Sequence, residues 1–268
     1  DLVVAAGGRA GRLPAWLDGL GYPRPQEERV TIDLMYASRP LRLAPGALGP
    51  DKLVLIGARP GLPRTLALAA QEEGRWLLTL GGYRGHHPPT DDEGFLAFAA
   101  GVAPPDVAAA LRAAEPLGDV VTHGFPANLR RRYERLRSFP AGLLPIGDAV
   151  CSFNPLYGQG MTVAVLEAAA LRRCLADGTA DLARRYFAAA APAVDHAWEM
   201  AIGGDLSLPE VEGPRPARLR AINAYVGRLQ AVAEHDSVVA AAFVNVVAML
   251  ERPQRLLRPS IVRRVVMA

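Results

Sequence analysis

The sequence predicts an α/β chain, of the α+β kind, in which an antiparallel sheet is inserted into an α/β layer and a helical region follows. Three observations lead to this fold class. An apolar strand opens the chain, a block of strand-like alternation follows from Val30 to about Gly82, and beyond Gly158 the pattern is helical almost to the end.

The opening run, residues 2–6, is apolar and predicts a buried strand, closed by the glycine-rich turn of residues 7–12 and followed by a short helix at residues 14–20. A buried strand needs neighbours on both sides. We therefore expect that a segment precedes Asp1 in the parent protein, and we interpret the chain as a fragment truncated at its N-terminus.

The next block predicts an antiparallel sheet. Every second residue from Val30 to Tyr36 is a large apolar one, which is the period of a half-buried strand. Another strand is expected at residues 53–56, and residues 65–70 and 76–80 predict a hairpin around Glu72-Glu73-Gly74.

The remaining elements return the chain to the α/β layer. Helices are expected at residues 92–100 and 104–114, and strands at 119–122 and 143–146. The helix at 161–171 carries only Glu167 as a charge, so we expect it to be buried nearly all round. After a loop at 203–216, one or two helices are expected at 217–250. The predicted domains are 1–28 (the remnant of an α/β layer, with its strand and glycine turn), 29–138 (antiparallel-sheet domain), 139–202 (the rest of the α/β layer, with Gly147-Asp148 and the buried helix) and 203–268 (C-terminal helices).

Composition excludes several function classes. The 268 residues carry a net charge of only +3, with no stretch of dense basic residues interleaved with aromatics, so a nucleic-acid partner is not expected. Two cysteines make no disulfide framework, and no Cys/His spacing indicates a metal site. Because the cysteines form no disulfide framework, we expect a protein of the reducing cytoplasm. No apolar run is long enough to span a bilayer. The oligomeric state is not readable from the sequence.

The segment 143–162 carries the candidate chemistry. A strand ends in Gly147-Asp148, a loop with Asn154-Pro155 and closely spaced glycines follows, and a helix then begins. This order places a carboxylate at the carboxyl end of a strand, where α/β folds bind ligands, and aims a helix N-terminus at the same place. Gly158 and Gly160 allow a flat ligand to approach the backbone.

The string Gly147-Asp148-Ala149, Pro155 and Gly158-Gln159-Gly160-Met161-Thr162 resembles the second FAD fingerprint of the para-hydroxybenzoate hydroxylase-like flavoproteins, which include squalene-type epoxidases and geranylgeranyl reductases. The resemblance implies that Asp148 binds FAD hydroxyls, that Pro155 lies beside the isoalloxazine ring, and that the backbone of Gly158 to Met161 meets the flavin N1–C2 carbonyl edge. Cys151-Ser152-Phe153 departs from many aromatic hydroxylases, which place a histidine there.

The opening turn supports the same resemblance, with Gly8 and Arg9 as further cofactor-binding candidates. Arg9 is a possible phosphate contact or a surface arginine. The family's opening Gly-x-Gly-x-x-Gly unit is absent, because Gly7, Gly8 and Gly11 lack that spacing. We therefore expect the adenosine half of the FAD site to lie outside this chain.

The resemblance implies an FAD- and NAD(P)H-dependent monooxygenase that hydroxylates or epoxidises a small apolar organic substrate. The alternatives are a prenyl reductase of the geranylgeranyl reductase type and, from another class, a non-catalytic fragment unable to hold FAD. The chain has no Trp-x-Trp pair, which argues against a tryptophan halogenase. Because the cofactor carries the oxygen chemistry, no catalytic side chain is assigned.

Other features have structural readings beside functional ones. Tyr36, Trp76 and Leu78 are expected to line a substrate pocket or to pack in the core. The arginines at 130–132 either guide an anion or form a solvated face paired with Glu134. Residues 238–250 form an apolar strip, which suits a core or dimer helix or a peripheral membrane contact. Cys151 is either redox-active or a small buried filler, and His86-His87 fits a loop better than a metal site.

Overall fold

The computed structural model describes residues 1–268 and contains nine strands and eight helices. The strands are β1 (Val3–Ala5), β2 (Glu27–Arg42), β3 (Leu53–Ile56), β4 (Arg64–Ala70), β5 (Arg75–Gly82), β6 (Glu115–Pro116), β7 (Val121–Arg131), β8 (Leu143–Pro145) and β9 (Cys151–Ser152). The helices are α1 (Leu13–Gly19), α2 (Asp92–Ala100), α3 (Pro105–Arg112), α4 (Gly160–Ala176), α5 (Leu182–Asp205), α6 (Ala217–Ala233), α7 (Ser237–Val247) and α8 (Pro259–Met267).

The expected mixed α/β fold with an antiparallel sheet is confirmed. The larger sheet has the order β3-β4-β5-β2-β7-β9, with β6 paired to β2, and the smaller one consists of the parallel pair β1-β8. The chain divides into two compact units. Unit 1 comprises Asp1–Val30, Asn128–Gly204 and Pro214–Ala268, and unit 2 comprises Thr31–Ala127 and Asp205–Gly213.

Unit 2 is built on the predicted hairpin. β4 and β5 pair antiparallel across a 3₁₀ turn at Glu72–Gly74, where Glu73 and Gly74 both have positive φ (59° and 70°). α2 and α3 contribute phenylalanine and aliphatic side chains to the core that buries Leu66, Leu68, Leu78 and Leu80. Asp91 caps α2 by accepting a hydrogen bond from the Gly94 N–H at 2.8 Å.

Unit 1 holds the parallel pair and most of the helices. An aromatic cluster lies in its core: the rings of Tyr133 and Phe187 stack with centroids 6.1 Å apart, and Phe139 meets both edge-on. Toward the C-terminus, α6, α7 and α8 share a separate core around Leu229, Val239 and Ile261.

Two elements that were predicted to be buried are partly exposed within residues 1–268. β1 pairs with β8 alone, and Val3 is 60% exposed, because no second strand of residues 1–268 pairs with β1. α4 packs through one face only, which carries Val163, while Met161 is 83% and Val165 is 67% exposed. An apolar composition around the whole helix therefore does not bury it, since burial requires neighbouring segments on every side.

The other departures concern the extent of elements. β7 runs eleven residues, well beyond the strand expected at 119–122. α5 continues through Pro192 and includes the first glycines of the expected 203–216 loop. On α7, Val239 and Val246 are buried but Val238 and Val244 are exposed, so the apolar strip is divided between a packed and an exposed face. No helix combines the length and hydropathy needed to cross a membrane.

Candidate functional site

Two turns emerge at the same edge of the parallel pair. β1 and β8 are in register from Val3↔Leu143 to Ala5↔Pro145, and the Ile146 N–H donates to the Ala5 carbonyl at 3.2 Å. The turn after β1 contains Gly8 and Arg9, and the turn after β8 is a 3₁₀ turn at Gly147–Ala149. Because parallel neighbours end at the same edge, the two predicted cofactor segments lie side by side in unit 1.

The Gly147–Ala149 turn rests against the first part of α4. Gly147 has φ +64°, a backbone conformation that residues with a Cβ rarely adopt. A Cβ built at Gly147 would lie 3.6 Å from the Ala164 Cβ. The Gly147 N–H donates to Glu167 Oε2 at 2.7 Å. This geometry turns the neighbouring Asp148 carboxylate outward, where it is exposed.

Glu167 is a site residue that sequence reasoning missed. It is 1% exposed, and burial raises its pKa to about 7, although the Gly147 N–H lowers that pKa and the charge of Asp148 raises it further. The sequence feature that could have identified Glu167 is that it is the single charge in an otherwise apolar helix, because a buried carboxyl group needs a hydrogen-bond donor.

The loop before α4 is held by asparagines. The Asn154 side chain accepts from the Leu156 N–H at 3.0 Å, and the Asn154 N–H donates to Asn128 Oδ1 at 2.6 Å. Both asparagines are fully buried. Asn154 was expected only as part of the loop, without a role of its own, and Asn128 was not expected. They fix the path of the chain into Gly158, which has φ +68°.

The N-terminus of α4 carries no side-chain cap and no acidic residue in its first turn. Its first residues therefore present backbone N–H groups without partners from the helix, together with the positive end of the helix dipole. A Cβ on Gly158 or Gly160 would meet no atom within 4 Å, so the space above these glycines is open. Met161 and Thr162 are exposed beside them.

The side chain of Gln159 is buried and therefore does not meet a ligand on the loop. The side chain is 2% exposed and donates from Nε2 to the Val247 carbonyl at 2.8 Å, at the end of α7. Pro155, by contrast, is exposed on the same loop. The side chain of Gln159 thus ties the loop to the C-terminal helices.

Arg9 lies among charges on the first turn. Burial and the positive charges of Arg29 and Arg131 lower the pKa of its guanidinium, while the negative charges of Asp148 and Glu27 raise it. The electrostatic coupling between Arg9 and Asp148 is consistent with their shared position at the edge of the β1-β8 pair.

These groups fit a flavin. A carboxylate accepts hydrogen bonds from sugar or ribityl hydroxyls, and free N–H groups at a helix N-terminus suit the anionic N1–C2 carbonyl edge of a reduced ring. Open space over Gly158 and Gly160 permits the close approach of a flat ring. The residues expected from the sequence to hold FAD therefore include donors and acceptors of the kinds that a flavin requires.

The expected substrate pocket is not formed by the residues named for it. Leu78 is fully buried in the core under α2 and α3, and Trp76 packs against that core. Tyr36 pairs with Gly81 in the antiparallel register, whereas Leu41 pairs with Trp76, so Tyr36 and Trp76 lie on opposite faces of the sheet. The pairing register of β2 and β5 decides which face of the sheet each residue lies on, and the hydrophobic period of the sequence does not give that register.

The arginine cluster is buried rather than solvated. Arg130 is 2% exposed and lies 2.6 Å from Asp195 and 3.4 Å from Glu134, so the expected pairing with Glu134 is present. Arg132 also pairs with Glu134, at 3.2 Å, and with Glu28. The burial was missed because two of the partners, Asp195 and Glu28, come from remote segments.

Cys151 is 3% exposed, and burial raises the pKa of its thiol far above the ordinary value, so the thiol stays protonated. Cys151 is packed in the core of unit 1, as expected for a small buried filler. His86 and His87 lie near Glu210 and Asp33 respectively, and no group of three His, Cys, Asp or Glu side chains is arranged to hold a metal ion.

Comparison with known proteins places the fold. HpxO of Klebsiella pneumoniae in complex with FAD and uric acid superposes with a TM-score of 0.54 over 99% of this chain and 60% of its own, at 18% identity. CmlS, a flavin-dependent halogenase, gives a TM-score of 0.55 over 87% of this chain and 45% of its own, at 17% identity. The chain has the fold of FAD-dependent monooxygenases and halogenases.

No family model matches the sequence. Protein Rv3254 of Mycobacterium tuberculosis is 39% identical over 256 residues, which cover 94% of this chain and 54% of that protein. The chain thus spans about half the length of the curated relative it matches.

Proposed function

We propose that the chain provides the flavin-ring half of the FAD site in a flavin-dependent monooxygenase. The observations that support the proposal are the exposed Asp148 on a turn that contacts α4, the uncapped N-terminus of α4 and the open space over Gly158 and Gly160. When bound there, FAD supplies electron transfer from NAD(P)H to oxygen, and hence hydroxylation or epoxidation of an apolar organic substrate.

The residues of the chain bind and orient the cofactor. Asp148 would accept hydrogen bonds from FAD hydroxyls, and the backbone amides from Gly158 to Met161 would stabilise negative charge on the N1–C2 carbonyl edge. Pro155 would lie beside the ring. Gly8 and Arg9 would contact the cofactor from the turn after β1, where the charge of Asp148 acts on Arg9.

Titration of the purified chain with FAD, followed by flavin fluorescence and absorbance, tests the proposal. Asp148→Ala is expected to weaken FAD binding by about tenfold or more, since a hydrogen bond to a charged group contributes about 1.5–3 kcal/mol. Asp177→Ala is the matched control, because Asp177 lies at the opposite end of α4 with its side chain 81% exposed. It is expected to bind FAD as the unaltered chain does.

Failure of the unaltered chain to take up FAD would favour the non-catalytic alternative. If FAD binds, NAD(P)H oxidation is measured together with oxygen consumption in the full-length protein. Equal consumption of NAD(P)H and oxygen without release of hydrogen peroxide supports the monooxygenase, because uncoupled flavin oxidation consumes both in the same ratio but releases peroxide. NAD(P)H oxidation without oxygen consumption, in the presence of a prenyl substrate, indicates the reductase alternative suggested by Cys151-Ser152-Phe153.

A further inference from the structure

The side chain of Arg131 contacts both turns at the candidate cofactor site. This arginine ends β7 and is 7% exposed. Its Nη2 donates to the Arg9 carbonyl at 2.9 Å and its Nη1 to the Ala149 carbonyl at 3.3 Å. Its Nε donates to Glu27 Oε1 at 2.9 Å, which neutralises the buried charge and fixes the plane of the guanidinium.

The acceptors lie directly beside the residues expected to meet the cofactor. The Arg9 carbonyl belongs to the turn that begins at Gly8, and Ala149 follows Asp148. The Arg131 main chain adds a further hydrogen bond, from its N–H to the Val150 carbonyl at 2.9 Å. One rigid fork therefore spans two turns that are far apart in sequence.

We propose that Arg131 is a positioning residue that locks the Gly8–Arg9 turn to the Asp148 turn and so sets the geometry of the cofactor surface. The role of Arg131 in cofactor binding rests on the proposed function. The lock, meaning the hydrogen bonds by which Arg131 joins the two turns, is present in the cofactor-free chain. Arg131 contacts the carbonyl groups behind the site and acts through the turns rather than on the cofactor.

The chemistry requires arginine. A guanidinium presents five N–H groups in a fixed plane and serves three acceptors at once, whereas the ammonium of lysine is a single point on a flexible stem. Arg131→Lys therefore retains the charge that Glu27 needs but loses at least one of the two carbonyl contacts.

Arg132→Lys is the matched control. Arg132 neighbours Arg131 and is also largely buried, but its guanidinium pairs with the carboxylates of Glu28, Glu134 and Asp195 and contacts neither turn. Glu27→Gln is a milder second variant, because it removes one charged partner of Arg131 and leaves both carbonyl contacts in place.

Amide hydrogen exchange on the cofactor-free chain tests the lock directly. Arg131→Lys is expected to raise exchange by about tenfold in residues 7–12 and 147–151 together, with no change across α5. Arg132→Lys is expected to leave both turns within about twofold of the unaltered chain, and Glu27→Gln to give a smaller increase in both. An increase in only one turn, an increase spread over all of unit 1, or equal effects of the two lysine variants would overturn the proposal.

Binding and spectra then connect the lock to the cofactor. Arg131→Lys is expected to weaken FAD binding about tenfold and to alter the visible circular dichroism of the bound flavin, while Arg132→Lys changes neither. If the exchange result holds but the unaltered chain binds no FAD, the proposed function fails and the lock stands. If the unaltered chain binds FAD and Arg131→Lys leaves exchange, affinity and dichroism unchanged, the lock fails and the proposed function stands.

Discussion

The buried carboxyl group of Glu167 makes the free energy of unfolding of the chain depend on pH, and Glu167→Gln is expected to remove that dependence. Glu167 is 1% exposed, and burial raises its pKa from 4.5 to about 7. A carboxyl group whose pKa is higher in the folded than in the unfolded chain binds its proton more tightly when folded. Its contribution to stability is therefore full below pH 4.5 and is lost as the pH rises through about 7.

The magnitude follows from the two pKa values. One pKa unit corresponds to about 1.36 kcal/mol, so ionisation of Glu167 lowers the free energy of unfolding by about 2.5 kcal/mol between roughly pH 5 and pH 8. The amide of glutamine does not titrate, and its oxygen accepts the same hydrogen bond from the Gly147 N–H. Any cost of the added NH₂ group is independent of pH, so the slope rather than the absolute stability carries the prediction.

Denaturant unfolding at a series of pH values, followed by tryptophan fluorescence, measures the slope. Glu28→Gln is the control, because a hydrogen bond from Arg132 lowers the pKa of Glu28 and moves its transition below the measured range. The stability difference between the unaltered chain and Glu28→Gln is expected to be constant from pH 5 to pH 8. A constant difference for Glu167→Gln as well would refute the reasoning, since it would mean that Glu167 ionises as freely in the folded chain as in the unfolded one.

Three further substitutions test the geometry through the same unfolding assay. Gly147→Ala is expected to lower the free energy of unfolding by about 1–2 kcal/mol, the cost of a left-handed backbone for a residue with a Cβ, and a neutral result would contradict the φ of +64°. Asp195→Asn weakens the charged hydrogen bond with buried Arg130 and is expected to cost about 1–2 kcal/mol, with unchanged stability counting against the ion pair at 2.6 Å. Tyr83→Phe removes the hydroxyl that donates to the fully buried Asp205 at 2.8 Å. It is expected to lower the free energy of unfolding by about 1–3 kcal/mol, and an unchanged stability would contradict this hydrogen bond.

Local patterns were sufficient for much of the fold. The hairpin around Glu72-Glu73-Gly74, the helix at Asp92–Ala100 and the turn after β8 lie where the sequence predicts them. Each depends on residues close in sequence: turn glycines, an N-cap and the alternation of a half-buried strand. Such interactions are fixed by the local order of side chains.

Only the tertiary structure shows which charged side chains are buried. Arg131 belongs to an arginine triplet that resembles a solvated surface, yet it is buried, because its acceptors Glu27, Ala149 and Arg9 come from three other segments. Likewise, the donor for Glu167 is the N–H of Gly147, twenty residues earlier in the chain. A periodicity argument does not identify partners at such separations.

The sequence alone determined that Asp148 precedes Gly158 and Gly160, because that order is covalent, and the apolar residues that follow predicted the start of α4. Only the tertiary structure decided that the turn after β1 joins them, that Trp76 and Tyr36 face opposite ways, and that α4 leaves Met161 exposed. Strand register and the packing of distant segments set these outcomes, since both arise from contacts that no local stretch of the chain contains.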